Sequence, residues 1–398
     1  MGELGRPLRV LQIVPSVSLV YGGPSQMIRG FSKALAEAGA EVTLVTTDSN
    51  GDVDEAPLDV PLNQPVPESG YTTWYFRCSP FRRYKFSLGL LRWLMTHAQD
   101  YDIAHIHALF SPVSSTAATV ARWRGLPYLL RPLGTLDPAD LRKKYRLKQL
   151  YAAVLERSNL AGAAAIHFTS AQEALISERF NTQTPDLVLP LGVTPLPHRW
   201  GEVINVRDKY GIPADCPIVL FMSRIDPKKG LDLLLPALEA LQQQGLPFHF
   251  VLCGANPQDR AYEQSISQRI ADSPLQAQTT VTGYVAGDLK TALLEAANLF
   301  VLPSYYENFG IAVAEAMLTG VPVVISDQVH IWQDIQRSQS GWVCQCTEAS
   351  VTERLREALM AGAEQQQRGD NAVAFAKANY SWPAIARQAI AAYGKLLA

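Results

Sequence analysis

Short apolar runs and helix-length segments alternate along nearly the whole chain, in two successive blocks. In the first half, Arg9 to Pro15, Glu41 to Thr47, Tyr71 to Phe76, Ile103 to His107, Tyr128 to Arg131, Ile166 to Thr169 and Leu187 to Leu189 read as strands. Between them, Pro24 to about Ala38, Leu88 to Ala98 and Val113 to Trp123 read as helices. Pro24 just inside the first helix and Gly39 just past it are the expected punctuation. The second half repeats the scheme, with strands at Ile218 to Met222, His249 to Cys253, Thr279 to Thr282, Leu299 to Leu302 and, as the last, Val321 to Ile325. Its helices are Leu231 to Gln244, a polar segment ending at Ala271, Asp288 to Ala296, Val351 to Met360, Glu364 to Asn379 and Trp382 to Leu397. Such alternation implies an α/β fold, with parallel sheets covered by helices on both faces.

The length of 398 residues favours two domains. The expected boundary lies in Leu191 to Asn205, which carries Pro195 and Pro197. The division is therefore 1–195, 196–380, and a terminal helix at 381–398. Two parallel-sheet domains of this kind, facing each other, would leave a cleft at the strand C-termini. The net charge of −2 gives no electrostatic reason for a nucleic-acid partner. Five cysteines without a CxxC pair indicate reduced thiols and no zinc site. Val10 to Val14 is too short for a signal peptide, and no apolar run reaches the ~20 residues of a membrane span. A cytosolic setting is expected.

The most informative stretch is Glu307-Asn308-Phe309-Gly310-Ile311-Ala312-Val313-Ala314-Glu315. It follows an apolar strand and opens a helix, the arrangement by which open α/β sheets hold ligands. The amides of Asn308, Phe309 and Gly310 can donate to phosphate or sugar oxygens there. Glu315, farther along the helix, can accept from a hydroxyl pair such as a ribose diol. Arg224 and Lys229 share one strand-to-helix loop, Ser223 to Gly230, and can meet a diphosphate as a planar fork and a point charge. A solvated basic turn and an ordinary acidic helix start are the plainer alternatives. Gly22 and Gly23, after the first strand, allow close backbone approach to a phosphate or acceptor, or form a simple tight turn.

With these pieces in this order, the chain resembles the group 1 glycosyltransferases, retaining enzymes of GT-B architecture that use nucleotide sugars. Glu307 to Glu315 is similar to their E-x7-E motif, and Arg224 to Gly230 to their Arg…Lys-Gly loop. Arg131 to Pro138 is like a segment usually reading Gly-Met-Leu-x-Pro, and Pro190-Leu191-Gly192-Val193 departs from the commoner Pro-Asn-Gly-Val. The resemblance implies two Rossmann-like domains, acceptor-binding first and donor-binding second, with the last helix crossing back to the first. It implies a nucleoside diphosphate sugar as co-substrate, a glycan or lipid-linked acceptor, and a role in polysaccharide or cell-surface glycan assembly. By the same resemblance, Glu315 meets the ribose. Glu307 and the Asn308–Gly310 backbone meet the sugar and phosphate, and His107 is aimed at the donor sugar. His105 and His107 share a strand face, and burial alone could account for both.

Charge build-up on the departing diphosphate makes Arg224 and Lys229 the main electrostatic lever, so no metal or other cofactor is expected. Asp52-Val53-Asp54 and Asp100-Tyr101-Asp102 fit the Asp-x-Asp pattern of metal-dependent transferases only formally. Residues 77–157 hold fourteen Lys/Arg against five acids, a surplus of nine. The helix around Arg142 to Lys148 can lie on an anionic membrane face, although a solvated helix face is the favoured reading. A nucleotide-sugar binder without turnover and an isomerase or phosphorylase of the same architecture remain the competing functions.

Overall fold

The computed structural model describes residues 6–21, 23–51, 56–79, 85–142, 145–194 and 204–398. The chain divides into two compact units, Met1–Gly192 with Trp382–Ala398, and Val193–Ser381.

The first unit carries an eight-stranded sheet in the order β3-β4-β2-β1-β5-β6-β7-β8. Its strands are β1 Arg9–Ser16, β2 Glu41–Thr47, β3 Pro65–Pro67, β4 Thr72–Phe76, β5 Ile103–His107, β6 Tyr128–Arg131, β7 Ala165–Phe168 and β8 Asp186–Val188. All pair in parallel except the edge strand β3, which runs antiparallel to β4. β3 had no strand signal because two of its three residues are proline, which an edge position tolerates. Neighbouring residues feed opposite faces, as the two-residue strand period requires. Leu11 and Ile13 join the core with Leu90, Leu94 and Ala117, while Val10 joins Ile28, Phe31 and Leu35 on the other side. Both faces are therefore buried, which is why the strands read as continuous apolar runs.

The terminal helix Trp382–Leu397 belongs to this unit. Ile385, Ala389 and Tyr393 enter the same core as the helix Gly23–Glu37. The indole of Trp382 occupies the space that a Cβ at Gly30 or Gly192 would need.

The second unit has a six-stranded, all-parallel sheet in the order β11-β10-β9-β12-β13-β14. These are β9 Ile218–Met222, β10 His249–Cys253, β11 Thr279–Gly283, β12 Leu299–Leu302, β13 Val323–Ser326 and β14 Gly341–Cys344. The order is that of the doubly wound dinucleotide fold, with its reversal between β9 and β12. The expectation that the strand near Val321 to Ile325 is the last needs correction. It spans Val323–Ser326, the helix Trp332–Ser338 follows, and β14 closes the sheet. Gly341 and the polar residues around this four-residue strand hide its signal. Its Gly341 has no room for a side chain against Val323. No helix among the described residues is long and apolar enough to cross a membrane.

Candidate functional site

In the second unit the sequence candidates collect at the C-terminal ends of β9 and β12, the two strands flanking the reversal. β9 runs into Ser223–Pro227 and a short 3-10 turn, Pro227–Lys229, before the helix Leu231–Gln243. Asp226 caps this turn, its Oδ1 accepting from the Lys228 N–H at 3.0 Å. Gly230 has φ 72°, and a Cβ there would overlap the carbonyl of Pro303 at the exit of β12. Glycine thus lets the two loops touch, and the Tyr305 N–H donates to the Lys228 carbonyl at 2.8 Å. Lys229 Nζ consequently forms an ion pair with Glu307 Oε2.

The Glu307 backbone is clamped on both sides. Its N–H donates to Gln328 O at 3.1 Å, and its carbonyl accepts from His330 N–H at 3.0 Å. Phe309 is buried edge-on against Tyr380, 5.2 Å between ring centres. Gly310, at φ 80°, caps the helix Ile311–Leu318, and Glu315 projects from that helix. Glu315 Oε1 pairs at 2.6 Å with Lys290 Nζ, from the helix Gly287–Ala296. Lys290 is not among the sequence candidates. It stands alone in its helix with no local motif, so only the fold reveals it. Arg224 is more than half exposed, with Nε 3.9 Å from Asp226 Oδ2.

The structure brings together Lys229 with Glu307, and Lys290 with Glu315. Each carboxylate is already paired with a lysine, and each pair can open to exchange its partners for phosphate and hydroxyl groups.

The family model described as glycosyl transferases group 1 matches residues 203–374, and a glycosyl transferase 4-like domain model matches residues 22–192. The chain belongs to the group 1 glycosyltransferases. An uncharacterized glycosyltransferase from Methanocaldococcus jannaschii is 24% identical over 396 residues, covering 94% of each chain. Sucrose-phosphate synthase from Thermosynechococcus elongatus superposes with a TM-score of 0.73 at 22% identity, over 98% of this chain and 99% of that one. HepE from Anabaena, solved in complex with UDP and glucose, gives 0.67 at 20% identity over 97% and 99%. The glycosyltransferase therefore has the GT-B fold.

In the first unit of this group 1 glycosyltransferase, Gly23 begins the helix that follows β1; Gly22 lies outside the described residues. His107 is placed differently from a side chain aimed at a donor sugar. It has no exposed surface, and its Nε2 faces Gln12 Oε1 at 2.6 Å. His105 and His167 are buried beside it, and their hydrogen bonds run in one direction. His167 Nε2 faces the Leu189 carbonyl at 2.7 Å and so carries the proton. His167 Nδ1 then accepts from His105 Nε2–H at 3.0 Å, and His105 Nδ1 accepts from the Tyr393 hydroxyl at 2.7 Å. Burial, together with the nearby Arg131 guanidinium, holds all three imidazoles well below the usual histidine range, His167 at about 3. They are neutral packing groups at neutral pH.

Asp102, of the second Asp-x-Asp, is bound by Arg6 at 2.6 Å and by Arg9 at 3.4 Å, at the strand end opposite the ligand edge. Asp52–Asp54 lie outside the described residues. No group of three or more potential metal ligands occurs among the described residues.

Proposed function

We propose that the protein is a retaining glycosyltransferase. It moves a sugar from a nucleoside diphosphate donor to a hydroxyl of a glycan or lipid-linked acceptor, in polysaccharide or cell-surface glycan assembly. The observation that carries this reading is the Lys229–Glu307 pair at the strand-order reversal of the second unit. A cation for the diphosphate and a carboxylate for sugar hydroxyls stand side by side where such sheets bind nucleotides.

In this reading the second unit binds the donor. Arg224 and Lys229 draw negative charge onto the leaving diphosphate. Glu307 and the backbone of Asn308 to Gly310 orient the sugar, and Glu315 accepts from the ribose. The diphosphate leaves and helps deprotonate the acceptor on the same face, so the anomeric configuration is kept. The first unit binds the acceptor. His107 is left out of the donor contacts because of its burial. No metal is required, since the two cations supply the counter-charge.

The test is a thermal-shift screen with UDP-, GDP-, ADP- and TDP-sugars. It is followed by transfer to octyl glycosides with and without EDTA, and by NMR of the product anomer. Binding without turnover on any acceptor would favour the non-catalytic binder. An inverted product, or full dependence on a divalent ion, would overturn the corresponding part.

A membrane contact rests on one further observation. Beyond the basic segment containing Arg142 and Arg146, Leu150 and Val154 stand exposed at a helical i,i+4 spacing. Lys148 contributes less, because its Nζ is held by Asp140 Oδ2 at 2.7 Å. Lys143 and Lys144 lie outside the described residues. This surface would let the enzyme sit peripherally on an anionic cytoplasmic membrane face. Equal binding to anionic and neutral vesicles at low salt would remove the proposal.

A further inference from the structure

The loop that leaves β5 is held in a shape its residues do not favour. Ala108 and Phe110 both lie in the left-handed region, at φ 70° and 56°. A side chain is strained there, and such strain persists only where the surroundings impose it. The restraints are visible. The Ala108 N–H donates to the Arg131 carbonyl at 2.9 Å, and Ser114 Oγ donates to the His107 carbonyl at 2.7 Å. The Phe110 N–H donates to Glu156 Oε1 at 2.8 Å.

Glu156 is an unusual choice for a backbone clasp. It has no exposed surface, and among the described residues no cation pairs with it. Burial pushes its carboxyl pKa up. Oε1 also accepts from Ser115 Oγ at 2.6 Å, and Ser115 Oγ in turn accepts from the Tyr151 hydroxyl at 2.9 Å, while among the described residues no hydrogen bond reaches Oε2. Glu156 ends a π-helical stretch, Ala152–Glu156, between the helices Tyr145–Tyr151 and Arg157–Gly162. A π turn costs hydrogen-bond quality and recurs at functional places. Burying a carboxyl without a counter-charge also costs free energy. Both costs converge on one product, the fixed shape of Ala108–Ser111.

That loop occupies a telling position. β5 lies beside β1 at the point where the strand order of the first unit reverses, and the loop leaves its C-terminal end. This is the ligand edge of an open parallel sheet.

We propose that Glu156 is a positioning residue, which holds the loop Ala108–Ser111 in the shape that receives the acceptor. The assignment rests on the transferase reading above. It goes to the acceptor because the donor groups of that reading all stand in the second unit.

The experiment uses the full chain, the nucleotide sugar that gives the largest thermal shift, and the octyl glycoside the wild type uses best. Acceptor KM, donor KM, donor hydrolysis without acceptor, and Tm are measured for E156Q, E156L and A108V. E156Q keeps an acceptor oxygen for Phe110 and Ser115, so its acceptor KM stays within about twofold of wild type. E156L raises acceptor KM tenfold or more and leaves donor KM and donor hydrolysis unchanged. A108V strains the same loop without touching Glu156 and gives the same selective rise, which decides the matter if E156L does not fold. Acceptor KM unchanged in the folded variants, or acceptor and donor KM rising together, overturns the assignment. A wild type that turns over no nucleotide sugar with any octyl glycoside overturns the transferase reading, and this assignment with it.

Discussion

Lys229 and Glu307, 78 residues apart in sequence, form an ion pair between the loops that leave the two central strands of the second unit. Both side chains are largely shielded from solvent. On the proposed reaction, donor binding separates them, Lys229 turning to phosphate and Glu307 to sugar hydroxyls. Lys229→Ala should therefore lower kcat by about 10²- to 10³-fold, the usual loss when one preorganised charge at a leaving group is removed. Glu307→Gln should chiefly weaken sugar orientation, lowering kcat while leaving the affinity for the free nucleoside diphosphate within a few fold. Steady-state kinetics alongside nucleotide titrations separate the two. Equal loss of nucleotide affinity in both variants would show that the division of labour is wrong.

Glu315 offers a second, independent check. Its Oε1 holds Lys290 at 2.6 Å, and both side chains keep some exposure. A ribose diol replacing that lysine would donate a charge-assisted hydrogen bond to the carboxylate, worth about 1.5–3 kcal/mol. Glu315→Ala should thus weaken nucleoside diphosphate binding by about 10- to 100-fold, measured by calorimetry. The same variant should bind inorganic pyrophosphate as the wild type does, because no ribose is present. Weakened pyrophosphate binding would move Glu315 from the ribose to the phosphates.

How much of this was legible in the sequence depends on the range of the signal. β9 and β12 are uninterrupted apolar runs, and β5, β6 and β10 are apolar apart from three histidines and one arginine; their bounds could be read directly because both faces of each sheet are covered. The Arg224–Gly230 and Glu307–Glu315 segments were readable because a loop between strand and helix is local. β14 was not, since a four-residue strand containing glycine carries no periodicity. The pairing of Lys290 with Glu315 was not legible either, as two helices 25 positions apart meet only through the sheet. His107 had the residue type and the strand-end position of a site residue. Burial of its side chain next to Gln12 is a tertiary fact that no spacing announces.

The three buried histidines give the first unit a pH dependence of definite sign. His105, His107 and His167 have folded pKa values depressed by burial, and then by neighbouring positive groups. The folded state therefore refuses protons that the unfolded chain accepts. Their contribution is fully present above the unfolded value near 6.5 and is lost as pH falls below it. Each histidine costs up to about 1.4 kcal/mol per pH unit in that range. His249 in the second unit shares the direction, so the first unit should carry the larger loss. Denaturant unfolding followed at pH 7.5 and 5.5 should show a fall of several kcal/mol, with hydrogen exchange placing most of it in β1, β5 and β7. A flat profile over that interval would mean that the imidazoles are not neutral and buried in solution.

Trp382 ties the last helix to the first unit by packing its indole against two glycines. A Cβ at Gly30 would come 2.6 Å from the indole, and one at Gly192 would overlap it outright. The ring also lies 6.3 Å from Phe31, tilted by 33°. Trp382→Ala should cost roughly 3 kcal/mol or more, by loss of apolar burial and the cavity left behind. Gly192→Ala should cost about 1–3 kcal/mol, by forcing the indole out of place. The two losses cannot add, because the second exists only while the indole is there. In the double variant the Gly192→Ala change should be nearly neutral, a coupling energy as large as its single cost. Thermal or denaturant melts of the four proteins in the cycle measure it. Additive losses would mean that the indole does not press on Gly192, and that the terminal helix is held by its Ile385, Ala389 and Tyr393 face alone.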